Sequence, residues 1–250
     1  MSSTSDYNEL LSKIQSIPSD KALKPTMPVD VYLQEAENLY TWCLDDQDAL
    51  VGTGLDVTLI NELPVRAGAC REAQSLWVKN RKMRNHTSLE WKSCLSEATD
   101  LRSLLLHSFR YAFRAHDDLL AAIGGIAKSN SRSAIVQDLN DLSVLGNSNL
   151  DLLKAIRMDT SLLETASLKS YQMGDMAGFI NSARRRKSEA KIIRNKAFSY
   201  LKEAIDNIRH CGKYVFWHNP DRKNGYTSNF LKNKNSLCRR SVTEKEEVSQ

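Results

Sequence analysis

At 250 residues, 41% apolar and 26% charged, the chain has the composition of an ordinary globular protein and the length to bury a core, which excludes a disordered chain. No segment approaches the roughly 18 uninterrupted apolar residues of a membrane span, and the first thirty residues hold no basic stretch leading into an apolar run, so a cytoplasmic protein without membrane attachment is expected. The net charge of +5 divides unevenly: residues 181–240 carry 16 Lys and Arg against 4 Asp and Glu, a net +12, and the remainder carries 19 against 26, a net −7.

Taken in order, Ser5 can cap a short helix through Leu10, Leu11, Ile14 and Ile17, and the prolines from Pro18 to Pro28 mark a linker, so residues 1–28 are a short N-terminal helix and a proline-containing connection. A helix follows from about Asp30 to Leu50 on the stripe Tyr32, Ala36, Leu39, Cys43 and Leu50, ended at Gly52-Thr53-Gly54. Asp45, Asp46 and Asp48 sit near its C-terminal end, where acids oppose the helix dipole, so something else must favour them there. The next pattern runs Leu59, Leu63, Ala67, Cys70, Ala73, Trp77 with Pro64 inside it, which predicts a first turn, a kink and a main helix from Pro64. Within it Ala67, Gly68, Ala69 and Cys70 form a run of small residues that would let another helix approach closely. Residues 85–88 are either a break capped by Ser88 or helix without interruption.

The longest stripe is Trp91, Leu95, Ala98, Leu101, Leu105, Phe109, Ala112, His116, Leu119 and Ile123, and it predicts one helix leaving at Gly124-Gly125. Ile135, Leu139, Leu142 and Leu145 give another, interrupted at Gly146-Asn147 and resumed through Leu150, Leu153 and Ile156. A last helix spans about Ser161 to Cys211, with a bend possible at Gly174 or Gly178. No strand-period segment of useful length is present, and the narrow stripes need one another for burial. The expected fold is all-α: an antiparallel bundle of four to five long helices over 29–212, with a partly disordered aromatic and basic tail over 213–250.

Catalytic signatures are missing. No Glu-x-x-His, His-Glu-x-x-His, Gly-x-Ser-x-Gly or phosphate-binding glycine loop occurs, so no enzyme, metal or cofactor is proposed from the sequence. The five cysteines (Cys43, Cys70, Cys94, Cys211 and Cys238) contain no Cys-x-x-Cys and read as reduced thiols. His116 reads as a core histidine on a buried stripe, with a ligand role as its alternative.

Chemistry of a particular kind concentrates late in the chain. Arg184, Arg185, Arg186, Lys187, Lys191 and Arg194 lie on the last helix, and Lys213, Arg222, Lys223, Lys232, Lys234, Arg239 and Arg240 continue into the tail. Basic residues at this density attract phosphates, and the interleaved Tyr214, Phe216, Trp217, Tyr226 and Phe230 could stack on unpaired bases. The opposing reading folds Tyr214, Phe216 and Trp217 back over the end of the bundle and leaves the charges to water.

The motif Gly212-x-Tyr214-x-Phe216-Trp217, with Asn219-Pro220-Asp221-Arg222 and Gly225-Tyr226 after it, resembles the C-terminus of uncharacterised bacterial helical-bundle proteins. The resemblance covers about Gly212 to Phe230; it implies a helical bundle and brings no activity with it. The leading expectation, from the long stripes, the small-residue patch Ala67–Cys70 and the lack of catalytic motifs, is a non-catalytic protein acting by contact with a protein partner or with a second copy. The alternative is nucleic-acid binding by residues 184–240.

Overall fold

The structure is a computed structural model describing residues 2–236, so Cys238, Arg239 and Arg240 lie outside the described residues. Over these residues it is all-α. In chain order the helices are α1 (Ser3–Ser16), α2 (Val29–Asp45), α3 (Gln47–Val51), α4 (Val57–Ala112), α5 (Asp117–Ile126), α6 (Arg132–Ser148), α7 (Leu150–Ala155), α8 (Ser161–Val215) and α9 (Pro220–Gly225). Residues 229–236 are also helical, and Ser19–Lys21 is a single 3-10 turn between α1 and α2. Among the described residues no helix is long and apolar enough to cross a membrane.

Local chemistry sets most of these boundaries. Ser2, rather than Ser5, caps α1 by accepting from the Ser5 amide at 3.2 Å. Ser131 caps α6 in the same way, accepting from the Ala134 amide at 3.1 Å. Asn219 caps α9, with Pro220 at the first helical position, where its missing amide costs nothing.

Several sequence expectations need correction. Pro64 does not divide α4, which runs unbroken past it and through residues 85–88. Pro64 is exposed, and the helix continues past it without the amide bond that proline cannot supply. α8 likewise passes Gly174 and Gly178 and continues to Val215. In contrast, the long stripe is not one helix. α4 ends at Ala112, a turn closes through the His116 amide on the Phe113 carbonyl at 2.8 Å, and α5 begins with Asp117 and Asp118, which favour a helix N-terminus. Phe113 therefore enters the core, and His116 is exposed rather than buried. The interruption expected at Gly146 falls at Asn149, and the helix of 30–50 is divided at Asp46. Finally, the described part of the tail is not irregular: α8 extends into it, and α9 and 229–236 fold after it.

By contacts the chain forms two compact units. Of the described residues, the first comprises 2–80 and 187–236. Its core joins Leu10 and Ile14 of α1, Tyr32, Leu33, Leu39 and Cys43 of α2, Ile60, Leu63 and Cys70 of α4, and Phe198, Leu201, Ile205 and Ile208 of α8. Each such side chain contributes about 1.5–3 kcal/mol on burial. Tyr32 and Phe198 meet with ring centroids 4.8 Å apart. The second unit is Arg81–Arg186, with Trp91, Leu105, Phe109, Phe113, Ile123, Leu139, Leu142, Leu153, Leu163 and Met173 inside. Gly146 is needed there because a Cβ would stand 2.6 Å from Leu163 and 2.7 Å from Phe109.

Candidate anion-binding site

In the second unit three arginines from three helices line one cavity of about 310 Å³: Arg84 of α4, Arg132 of α6 and Arg184 of α8. Helical spacing brings its walls together. Arg84, Ser88 and Trp91 fall at steps of four and three, on one face of α4. Ala177, Ile180, Asn181 and Arg184 do the same on α8. The floor is apolar, from the buried Trp91 with Ala177 and Ile180, and Ser88 and Asn181 add neutral hydrogen-bonding groups.

Arg132 is placed by a buried clamp. It is the first residue of α6, and the loop before it is held by Arg102, which donates to the Ser129 carbonyl at 3.0 Å and to Asn130 Oδ1 at 3.0 Å. Arg102 also donates through Nε to Asp138 Oδ2 at 2.7 Å, and both side chains of this pair are buried. Burial pushes the Asp138 carboxyl up, against the pull of Arg102.

No acidic residue lines the cavity, and among the described residues no carboxylate lies within ion-pair distance of Arg84, Arg132 or Arg184. Each of the three arginines carries a guanidinium with five N–H donors in a planar fork, and no acid among the lining residues neutralises them. The N-terminal end of α6, 17 residues long, adds its partial positive charge. Such a concavity attracts an oxyanion, phosphate above all.

The other residues expected to contact nucleic acid are dispersed. In the second unit Arg185 is exposed, and Arg186 bonds Ser182 Oγ at 2.8 Å with its guanidinium over the Phe179 ring. In the first unit Lys187 is half-buried and Lys191 exposed, whereas Arg194 is buried with its guanidinium 4.5 Å from the Trp77 ring centroid. Burial lowers the Arg194 pKa.

The aromatic platform is largely consumed in packing. Tyr226 is fully buried, stacks on Phe216 at 5.6 Å, and donates its hydroxyl to Asp46 Oδ2 at 2.8 Å. Arg222 pairs with the other oxygen of Asp46 and lies over the Phe216 ring. Tyr214 and Trp217 remain 71% and 62% exposed, Lys223 is exposed and Lys213 half-buried.

The patch Ala67, Gly68, Ala69 and Cys70 is buried inside the first unit. α1 approaches it so closely that a Cβ on Gly68 would overlap the Asp6 carboxylate, so the chain itself supplies the close partner. A second polar cavity, of about 270 Å³, lies in the same unit beside Glu35, Asn38, Arg209 and Asn224. Among the described residues no three His, Cys, Asp or Glu side chains are grouped as metal ligands.

Sequence reasoning found Arg184 and missed its two companions. Arg84 belongs to the cluster Arg81-Lys82-x-Arg84, a visible signal once α4 and α8 are known to be neighbours. Arg132 gave no signal beyond a lone arginine after a capping serine. No protein-family model, curated protein or solved structure matches the chain.

Proposed function

We propose that the protein is a non-catalytic helical protein that binds nucleic acid through its phosphates, using Arg84, Arg132 and Arg184. The observation that carries this is that three arginines from three helices line one cavity with no acidic residue among its lining. Unneutralised charges held together cost stability, and a chain keeps them where a ligand repays that cost. The antiparallel bundle belongs to the same proposal. In the second unit Ser170 bonds the Val136 carbonyl and Leu163 adjoins Gly146, so numbering rises along α6 as it falls along α8. In the first, Arg66 bonds the Tyr200 carbonyl and Trp77 meets Arg194, the same relation between α4 and α8.

Of the features behind the protein-contact reading, the patch Ala67–Cys70 is occupied by α1 of the same chain. Fluorescence anisotropy of the full chain with labelled single strands tests the nucleic-acid reading. The expected result is binding that weakens steeply with salt, as counterion release requires. Absence of binding at low salt would overturn it.

A further inference from the structure

Resting on that reading, we infer that the cavity of Arg84, Arg132 and Arg184 takes the terminal phosphate of a nucleic-acid strand rather than the internal phosphodiesters. An internal diester carries one negative charge, two free oxygens and a chain leaving on both sides. A terminal monoester carries close to two charges and three free oxygens, with a chain leaving on one side only. Three separate helices each contribute one arginine to the lining of a single concavity of about 310 Å³, which suits a compact group with several oxygens. A groove tracking a strand would instead space its cations along one surface.

Ser131, the α6 cap, already engages the Ala134 amide, but the Arg132 and Ser133 amides at that end have no carbonyl partner within α6. The first of them belongs to Arg132, which lines the cavity, and a helix N-terminal amide is a donor suited to a dianion. Trp91, Ala177 and Ile180 offer the ligand an apolar wall with no acid facing it.

The test is anisotropy of the full chain with one fluorescently labelled single strand prepared in three forms: 5′-phosphate, 3′-phosphate, and hydroxyl at both ends. A phosphoserine peptide forms the fourth arm. One phosphorylated end should bind about tenfold tighter than the hydroxyl strand, the worth of roughly one additional charge-assisted hydrogen bond, and the two phosphorylated strands show which end is taken. That preference should vanish in Arg132→Gln and in Arg184→Gln, both exposed positions, with helical circular dichroism unchanged. Equal binding of all three strands would overturn the inference and leave the nucleic-acid reading standing. Failure of every strand would overturn that reading as well. Tight binding of the phosphopeptide without discrimination among strands would overturn the inference in favour of a protein ligand.

Discussion

The hydroxyl of Tyr226 donates to Asp46 Oδ2 at 2.8 Å, joining positions 180 residues apart in the first unit. This bond explains an acid at the C-terminal end of α2, where the helix dipole disfavours one. Asp46 is buried, and Arg222 of α9 serves its second oxygen. Gly212 makes room for the ring, since a Cβ there would overlap Tyr226. Tyr226→Phe should cost about 1–3 kcal/mol, because a buried carboxylate loses a donor. Gly212→Ala should cost a similar amount by overpacking, about 1–3 kcal/mol. Chemical denaturation checks both, and in each variant amide exchange over 220–236 should quicken before that of the α2 and α8 core.

Acid should loosen the same C-terminal segment. Glu35 loses water by burial, which pushes its carboxyl up, but the Phe230 amide, Arg209 and Ser228 together hold it below the ordinary 4.5. A depressed carboxylate stabilises the fold above its unfolded pKa, and that contribution disappears as pH falls through the folded value. Wild-type thermal stability should therefore drop as pH falls below about 4.5. Glu35→Gln should be less stable at neutral pH by about 1–3 kcal/mol, as the buried Arg209 keeps an acceptor but loses its countercharge, and should show a shallower acid dependence. Melting curves from neutral to acid pH distinguish the two slopes.

Much of the fold was legible in the residues themselves. Apolar steps of three and four marked the residues of the long helices as helical, because burying an amphipathic face dictates that period, but they misplaced the start and end of α4. The errors lie where tertiary contacts decide between local options. His116 continued a stripe by spacing alone, but the chain turns at Phe113 and places that ring inside. The tail aromatics carried no period, so nothing local announced that Tyr226 would reach Asp46. The candidate site was legible only at Arg184, since its companions lie on helices whose pairing no local pattern encodes.

The turn after α7 offers a stabilising substitution. Arg157 has φ of 57°, a left-handed conformation, where the chain leaves the helix with the Met158 amide bonded to the Leu153 carbonyl at 3.1 Å. Glycine adopts this conformation without the side-chain clash. Arg157→Gly should raise stability by about 1 kcal/mol, a shift of a few degrees in Tm by calorimetry.

Thiol reactivity gives an independent check on the first unit's core. Burial pushes Cys43 up to about 12, with a smaller push from Cys211, and burial pushes Cys70 up to about 12. Neither should be alkylated by iodoacetamide in the native state at mildly alkaline pH, where so little thiolate exists. Both should react on addition of denaturant, with the modified sites read by mass spectrometry.

The most direct measurement sets the arginine cavity against the tail. Affinity for a labelled single strand carrying a terminal phosphate would be compared among the wild type, a triple variant Arg84→Ala, Arg132→Ala, Arg184→Ala, and a tail variant Lys213→Ala, Trp217→Ala, Lys223→Ala. The cavity variant should lose at least about tenfold, corresponding to roughly 1.4 kcal/mol, while the tail variant stays within about twofold of wild type. Loss of binding in the tail variant with the cavity variant unaffected would contradict the assignment of the site to Arg84, Arg132 and Arg184.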